Sequence, residues 1–161
     1  MAAADPQRRA LLQRLTMVAA ASGWVAPSVR AQGAPVPKLL TVREMVEPVA
    51  GTQVPRAQGI RLEVAALADN GHLVPLRVVV DSPMTEAAHV TGIYLLSQRN
   101  PVTRIATFHL GPWSGRAEVA TRIRLAGTQQ VVALARLSNG DFLIAQAEVV
   151  VTESACLDMS G

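Results

Sequence analysis

A two-residue period in hydrophobicity begins at Ile60 and persists to Val151, and it limits the fold more than any other feature of the chain. Ile60, Leu62 and Val64 alternate with Arg61 and Glu63. Further on, Ala117, Val119, Thr121, Ile123 and Leu125 share one parity, while Arg116, Glu118, Arg122 and Arg124 share the other. Such spacing gives a strand one buried and one wet face, and no helix can satisfy it. The same criterion predicts strands over Leu73–Asp81, Val90–Ser97, Arg104–Leu110, Gln130–Leu137 and Phe142–Val151. In the last of these, Ala145, Ala147, Val149 and Val151 stand opposite Gln146, Glu148, Val150 and Thr152.

The residues between these runs supply the punctuation. Asp69-Asn70-Gly71 and Ser138-Asn139-Gly140-Asp141 predict hairpin turns, because Asn and Gly accept the positive φ such turns need. Pro75, inside the second strand, has no N–H for a ladder and predicts an edge position or a bulge. Ser82-Pro83-Met84 and Arg99-Asn100-Pro101 break the pattern. Ahead of the strands, Gln32 to Lys38 reads as a linker. Thr41-Val42-Arg43-Glu44 then has the spacing of a capping box, with Pro48 and Gly51 expected to close a short helix. About seven short strands, one short helix and no internal repeat predict an all-β, immunoglobulin-like sandwich without the intersheet cysteine pair of antibody domains.

The N-terminus predicts export. Arg8-Arg9 precedes an apolar stretch from Leu15 to Ala26, and Val29-Arg30-Ala31 offers the small residues of a cleavage site. The stretch is too short for a membrane span, so residues 1–31 are expected to be a removable leader. Paired arginines point to the twin-arginine route. The usual Ser or Thr before the pair and Phe after it are absent, which keeps ordinary secretion as the alternative; a short N-terminal helix is the structural one. Either route predicts a periplasmic protein with no membrane segment after cleavage.

Removing the leader changes the charge. The whole chain has 15 Lys and Arg against 12 Asp and Glu. Residues 1–31 hold four of the arginines and one aspartate, so the remainder carries eleven groups of each sign. A neutral, aromatic-poor body without a basic run excludes nucleic acid as an expected partner. About 130 residues remain, enough for a core without staples.

Catalytic signatures are missing. Ser114-Gly115 is no nucleophile elbow, and neither a Gly-rich phosphate loop nor a Cys-x-x-Cys occurs. His72, His89 and His109 lack ligand spacing, so no metal or cofactor is expected. Trp113, in Gly111-Pro112-Trp113-Ser114, reads either as a partner anchor or as a ring folded back over the sandwich edge.

The chain's single cysteine, Cys156, lies five residues from the end in Ser154-Ala155-Cys156-Leu157-Asp158. In an oxidising compartment a lone thiol is buried and inert, paired with another chain, or kept for reaction. Its terminal position argues against burial. Residues 152–161 read as a projecting arm beyond a body of residues 32–151, and five extended residues past Val151 span about 16 Å. Glu153 and Asp158 flank the cysteine and the tail holds no cation, so nothing in the tail itself favours a thiolate.

Several stretches carry a resemblance. Val80-Asp81-Ser82-Pro83-Met84-Thr85, Ile93-Tyr94-Leu95-Leu96 leading to Arg99-Asn100-Pro101, Ala106-Thr107-Phe108-His109-Leu110 and Ser114 to Ala126 resemble the SoxY family in the same order, from about Lys38 to Thr152. SoxY is the sulfur-carrier subunit of the periplasmic thiosulfate-oxidation system. The resemblance implies an immunoglobulin-like sandwich, a heterodimer with a second sandwich subunit, SoxZ, and sulfur intermediates carried on the thiol of a C-terminal arm. It further implies a haem enzyme that joins thiosulfate oxidatively to that cysteine, a hydrolase that releases sulfate and, in some organisms, a sulfane dehydrogenase. The protein itself is expected to be a carrier and not an enzyme, with Cys156 as the matching residue.

The arm departs from the family pattern. SoxY normally ends in Gly-Gly-Cys-Gly-Gly, whereas Ser154-Ala155-Cys156-Leu157-Asp158 resembles a SoxY-related subgroup with Ala-Ala-Cys-Ile-Glu. Ala155 and Leu157 remove the backbone freedom and slimness that glycines give an arm entering a narrow channel. Three expectations follow: a carrier with altered partners, an interaction module that lost the chemistry, or a zinc or copper site using the histidines and Cys156.

Overall fold

In the computed structural model, which describes residues 39–153, the alternating stretches form eight strands preceded by one helix. The helix is α1 (Val42–Ala50). The strands are β1 (Ile60–Val64), β2 (Leu67–Asn70), β3 (Val74–Val80), β4 (Val90–Ser97), β5 (Arg104–His109), β6 (Ala117–Ile123), β7 (Gln129–Leu137) and β8 (Phe142–Glu153). They build a three-stranded sheet in the order β1-β3-β6 and a five-stranded sheet in the order β2-β8-β7-β4-β5. This is the expected β-sandwich with one strand more.

Alternation explains the core between the sheets. Val74, Leu76, Val78 and Val80 of β3 meet Val90, Ile93 and Leu95 of β4 and Val131, Ala133 and Ala135 of β7. On the solvent face of the three-stranded sheet, Arg77 sits between Glu63, 3.6 Å away, and Glu118, 2.7 Å away. Its hydrogen bond to Glu118, assisted by the charges of both carboxylates, holds the guanidinium pKa above its ordinary value.

β7 departs from alternation because a second layer covers it. Val131 to Ala135 are all fully buried. Odd positions face the other sheet, while Val132 and Leu134 face Met45, Val46 and Ala50 of α1. A central strand covered on both sides reads as a continuous apolar run. The helix begins as expected: the Thr41 N–H donates to Glu44 Oε2 at 2.7 Å, and the Glu44 N–H donates to Thr41 Oγ1 at 3.3 Å.

Four local expectations need correction. Pro48 lies inside α1 instead of closing it, and the helix stops at Gly51 (φ 62°), whose N–H donates to the Glu47 carbonyl at 2.8 Å. With two helical residues beyond it, Pro48 weakens the last turn without preventing its closure. Pro75 is in the middle strand of its sheet, and its ladder to β6 is unbroken. Pairing with β1 ends at Val64↔Leu76, however, so Pro75 lies past the β1 ladder and costs no bond there. Leu73, Asp81 and Leu110 fall just outside their strands.

The fourth correction matters most. Asn70-Gly71 does not join two hairpin strands, and Gly71 is not among the glycines with positive φ. β1 and β3 are indeed neighbours, but between them the chain crosses to the other sheet and adds β2 to its edge, parallel to β8. Leu67-Ala68-Asp69-Asn70 is too short and polar to register locally as a strand; its partner lies some eighty residues away. The second turn is as expected: Gly140 has φ 90°, and the Leu137 N–H donates to the Asp141 carbonyl at 2.9 Å.

Candidate functional site

Cys156 and its neighbours Ser154, Ala155, Leu157 and Asp158 lie outside the described residues, as do Arg8 and Arg9. The described residues end at Glu153, the last residue of β8. β8 runs through Thr152 and Glu153, so the strand continues two residues past the point where its alternation ends. Cys156 is three positions beyond Glu153 in the sequence, a reach of at most about 10 Å.

The last turn of β8 is held differently from the rest of it. Its ladder with β7 ends at Gln129↔Val149. Beyond that pair β2 takes over on the opposite edge, in the register Leu67↔Val150, Ala68↔Val151 and Asn70↔Glu153. The Val150 N–H donates to the Ala66 carbonyl at 2.8 Å and the Thr152 hydroxyl to the Asp69 carbonyl at 2.7 Å. On the side that β7 has vacated, Thr128 replaces a strand with its hydroxyl. Its Oγ1 accepts from the Val151 N–H at 3.0 Å and donates back to the Val151 carbonyl at 3.4 Å. Both backbone groups of a buried residue are thereby satisfied.

Gly71 closes the root. Its N–H donates to the Glu153 carbonyl at 2.8 Å, and its own carbonyl accepts from the Leu125 N–H at 2.8 Å. A Cβ at this position would stand 2.5 Å from the Leu125 carbonyl oxygen and 3.0 Å from that of Glu153. Close approach of three backbones, rather than positive φ, is what demands glycine here. The β2–β3 connection, the end of β6 and the root of the arm therefore meet at one residue.

The next loop is laced to the same junction by Asn100. Its Nδ2 donates to the Arg124 carbonyl at 2.7 Å, while its Oδ1 accepts from the Ala126 N–H at 2.9 Å and from Gln129 Nε2 at 3.0 Å. The Arg99 N–H donates to Gln129 Oε1 at 2.8 Å. Arg99 and Arg124 are both exposed. Sequence reasoning missed β2 and the roles of Gly71 and Thr128; the only local signal was the Asn-Gly pair, which marks a special backbone without saying which.

Other residues singled out in the sequence sit elsewhere. His72 follows Gly71 and donates its N–H to Asn70 Oδ1 at 2.7 Å; the His89 ring is 3.0 Å from the Thr85 carbonyl; His109 ends β5. Among the described residues no three His, Cys, Asp or Glu gather to hold a metal ion. Trp113 stands on a 3-10 turn, Pro112–Ser114, with its ring over Gly111 yet 85% exposed. Among the described residues no helix is long and apolar enough to cross a membrane.

Residues 46–156 match the model of the sulfur oxidation protein SoxY. The chain belongs to the SoxY family. Among solved structures it is similar to the sulfur carrier protein SoxY from Chlorobium limicola f thiosulfatophilum, at 26% identity and a TM-score of 0.55 over 66% of this chain and 92% of that one. It also matches the superoxide reductase (neelaredoxin) from Ignicoccus hospitalis, at 16% identity and a TM-score of 0.51 over 58% of this chain and 80% of that one. At that identity the second match shows a shared fold alone. No curated protein matches the sequence significantly.

Proposed function

We propose that this SoxY-family protein is a periplasmic carrier of sulfur intermediates, held covalently on the Cys156 thiol and presented by the C-terminal arm to partner enzymes. One observation carries the reading. The family match runs through β8, passes the arm root and ends on Cys156, the only cysteine of the chain. The leader with Arg8-Arg9 supports export to a compartment where such a thiol is useful.

The chemistry divides between carrier and partners. The Cys156 thiolate and thiosulfate join through a new S–S bond, giving a Cys–S–S–SO3⁻ adduct and two electrons that a haem enzyme accepts. Water then cleaves the sulfonate sulfur from the adduct, leaving a persulfide and sulfate. The carrier contributes reach, a single attachment atom and a fixed root; the partner contributes acceptor and catalyst. A SoxZ-like sandwich subunit is the expected heterodimer partner, and the haem enzyme and hydrolase dock transiently.

Intact mass of the mature protein from the periplasm of its own source, with and without thiosulfate, tests this. The reading predicts a thiosulfate-dependent increment that reductant removes and that Cys156→Ser abolishes. An unmodified thiol under both conditions favours the second reading, an interaction module without carrier chemistry, which the glycine-poor Ser154-Ala155-Cys156-Leu157-Asp158 sequence motivates.

A further inference from the structure

Trp113 is the largest exposed apolar side chain among the described residues, 85% exposed on the 3-10 turn of the β5–β6 connection. Its turn is built to hold it there. The Ser114 N–H donates to the Gly111 carbonyl at 2.9 Å, Ser114 Oγ accepts from the Gly111 N–H at 3.2 Å, and Gly115 takes φ 70°. The indole lies over Gly111, where a Cβ would strike its ring. A ring fixed in this way loses little conformational freedom on docking, and tryptophan is enriched among the anchors of protein interfaces.

The same chain carries a pocket that suits such an anchor. Between α1, residues 51–55 and the start of β8 lies a cavity of about 350 Å³, lined by Val42, Val46, Val54 and Ile144, with Arg43 and Glu47 as its charged members. An indole fits that volume, and Val54 is left 90% exposed beside it. A neighbouring cavity of about 340 Å³ shares Val42 and Ile144.

Charge favours a second copy as the occupant. Among the described residues, 99–136 hold six arginines and one carboxylate, a net +5, whereas the others hold four arginines and nine carboxylates, a net −5. All six arginines of the basic segment are exposed, and none is in an ion pair within the described residues. Its one carboxylate, Glu118, is held by Arg77. Trp113 belongs to the basic segment and the groove to the acidic remainder, so two copies meet with opposite charge. Both features also lie away from Glu153. β6 begins beyond Trp113 with Ala117 paired to Val80, and β8 begins beside the groove with Phe142 paired to Arg136, each at the end of the sandwich opposite Gly71.

We propose that Trp113 of one copy docks in the α1–β8 groove of a second copy, joining the two reversibly and leaving the end of β8 uncovered in both. Sedimentation equilibrium of the full chain tests this, with reductant present so that Cys156 cannot cross-link copies. The mean mass of the wild type is expected to rise from one copy toward two between about 1 μM and 1 mM. Trp113→Ala should weaken the association at least about thirtyfold, the loss expected on truncating an interface anchor. Val54→Lys, which sets a hydrated cation at the groove, should weaken it to a similar degree. Both positions are exposed, so the melts of the dilute variants should match the wild type.

Trp113→Ala keeps the groove and Val54→Lys keeps the indole. Mixed at a concentration where neither associates alone, the two variants should form a 1:1 pair. Val102→Ser, at an exposed apolar position of the β4–β5 connection, should leave the association unchanged. A wild type that stays monomeric throughout, a mass rise undiminished in either single variant, or a mixture that does not pair overturns the proposal.

Discussion

Around the middle of β4 and β7 the five-stranded sheet is buried on both faces, by the opposite sheet and by α1. At its β2–β8 end the outer face of the same sheet is exposed, and the backbone is held by a handful of named hydrogen bonds. Leu134 and Val132 are fully buried under Met45, Val46 and Ala50, whereas Leu67 and Val150, paired across β2 and β8, are 59% and 44% exposed. The first region derives its stability from apolar area, which is non-directional and tolerant of small displacements. The second sends Val149 and Val151 into the core but takes its geometry from directional contacts.

Leu134→Ala should produce the largest effect, a loss of about 2–5 kcal/mol of unfolding free energy in denaturant titration, because it opens a cavity between α1 and the sheet. Hydrogen exchange in that variant should rise across α1 and β7 together. If the β2–β8 end alone became mobile, the comparison between the two regions would be wrong.

Gly71→Ala should cost less, about 1–3 kcal/mol, since the added methyl must displace the Leu125 or Glu153 backbone. Its signature is local: the Gly71, Val150 and Val151 amides should lose exchange protection while α1 keeps its own. Equal loss of protection in both regions would show that the arm root is part of the cooperative core.

Thr128→Val keeps the shape and deletes the hydroxyl that serves both backbone groups of Val151. The expected cost is about 1 kcal/mol, read as faster exchange of the Val151 amide, with Thr128→Ser restoring protection. No change at that amide would mean that β2 alone secures the root.

The difference between the two regions also explains what could be read from sequence. Residues 116–125 and 142–151 announce their strands because one face of each meets water, and Thr41 and Glu44 announce α1 because a capping box is local. β7 was legible as a strand although its outer cover was not, since Val132 and Leu134 carry no mark of the helix that shields them. The arm root was nearly silent. Its parts come from residues 66–71, 99–100, 124–128 and 150–153, and their meaning arises only when distant backbones meet at Gly71. Asn70-Gly71 invited a hairpin because local turn chemistry cannot distinguish positive φ from close approach. The cysteine itself stood out by being alone.

The central claim is that Cys156 carries sulfur, and the most direct test is the mass of one peptide. Trypsin should release Leu137–Gly161 intact, because no Lys or Arg follows Arg136, and Cys156 is its only cysteine. From protein isolated out of cells oxidising thiosulfate, that peptide is predicted to bear a sulfur-containing increment that fragmentation places on Cys156 and reductant removes. The same peptide found only as free thiol or as a plain disulfide dimer would contradict the account.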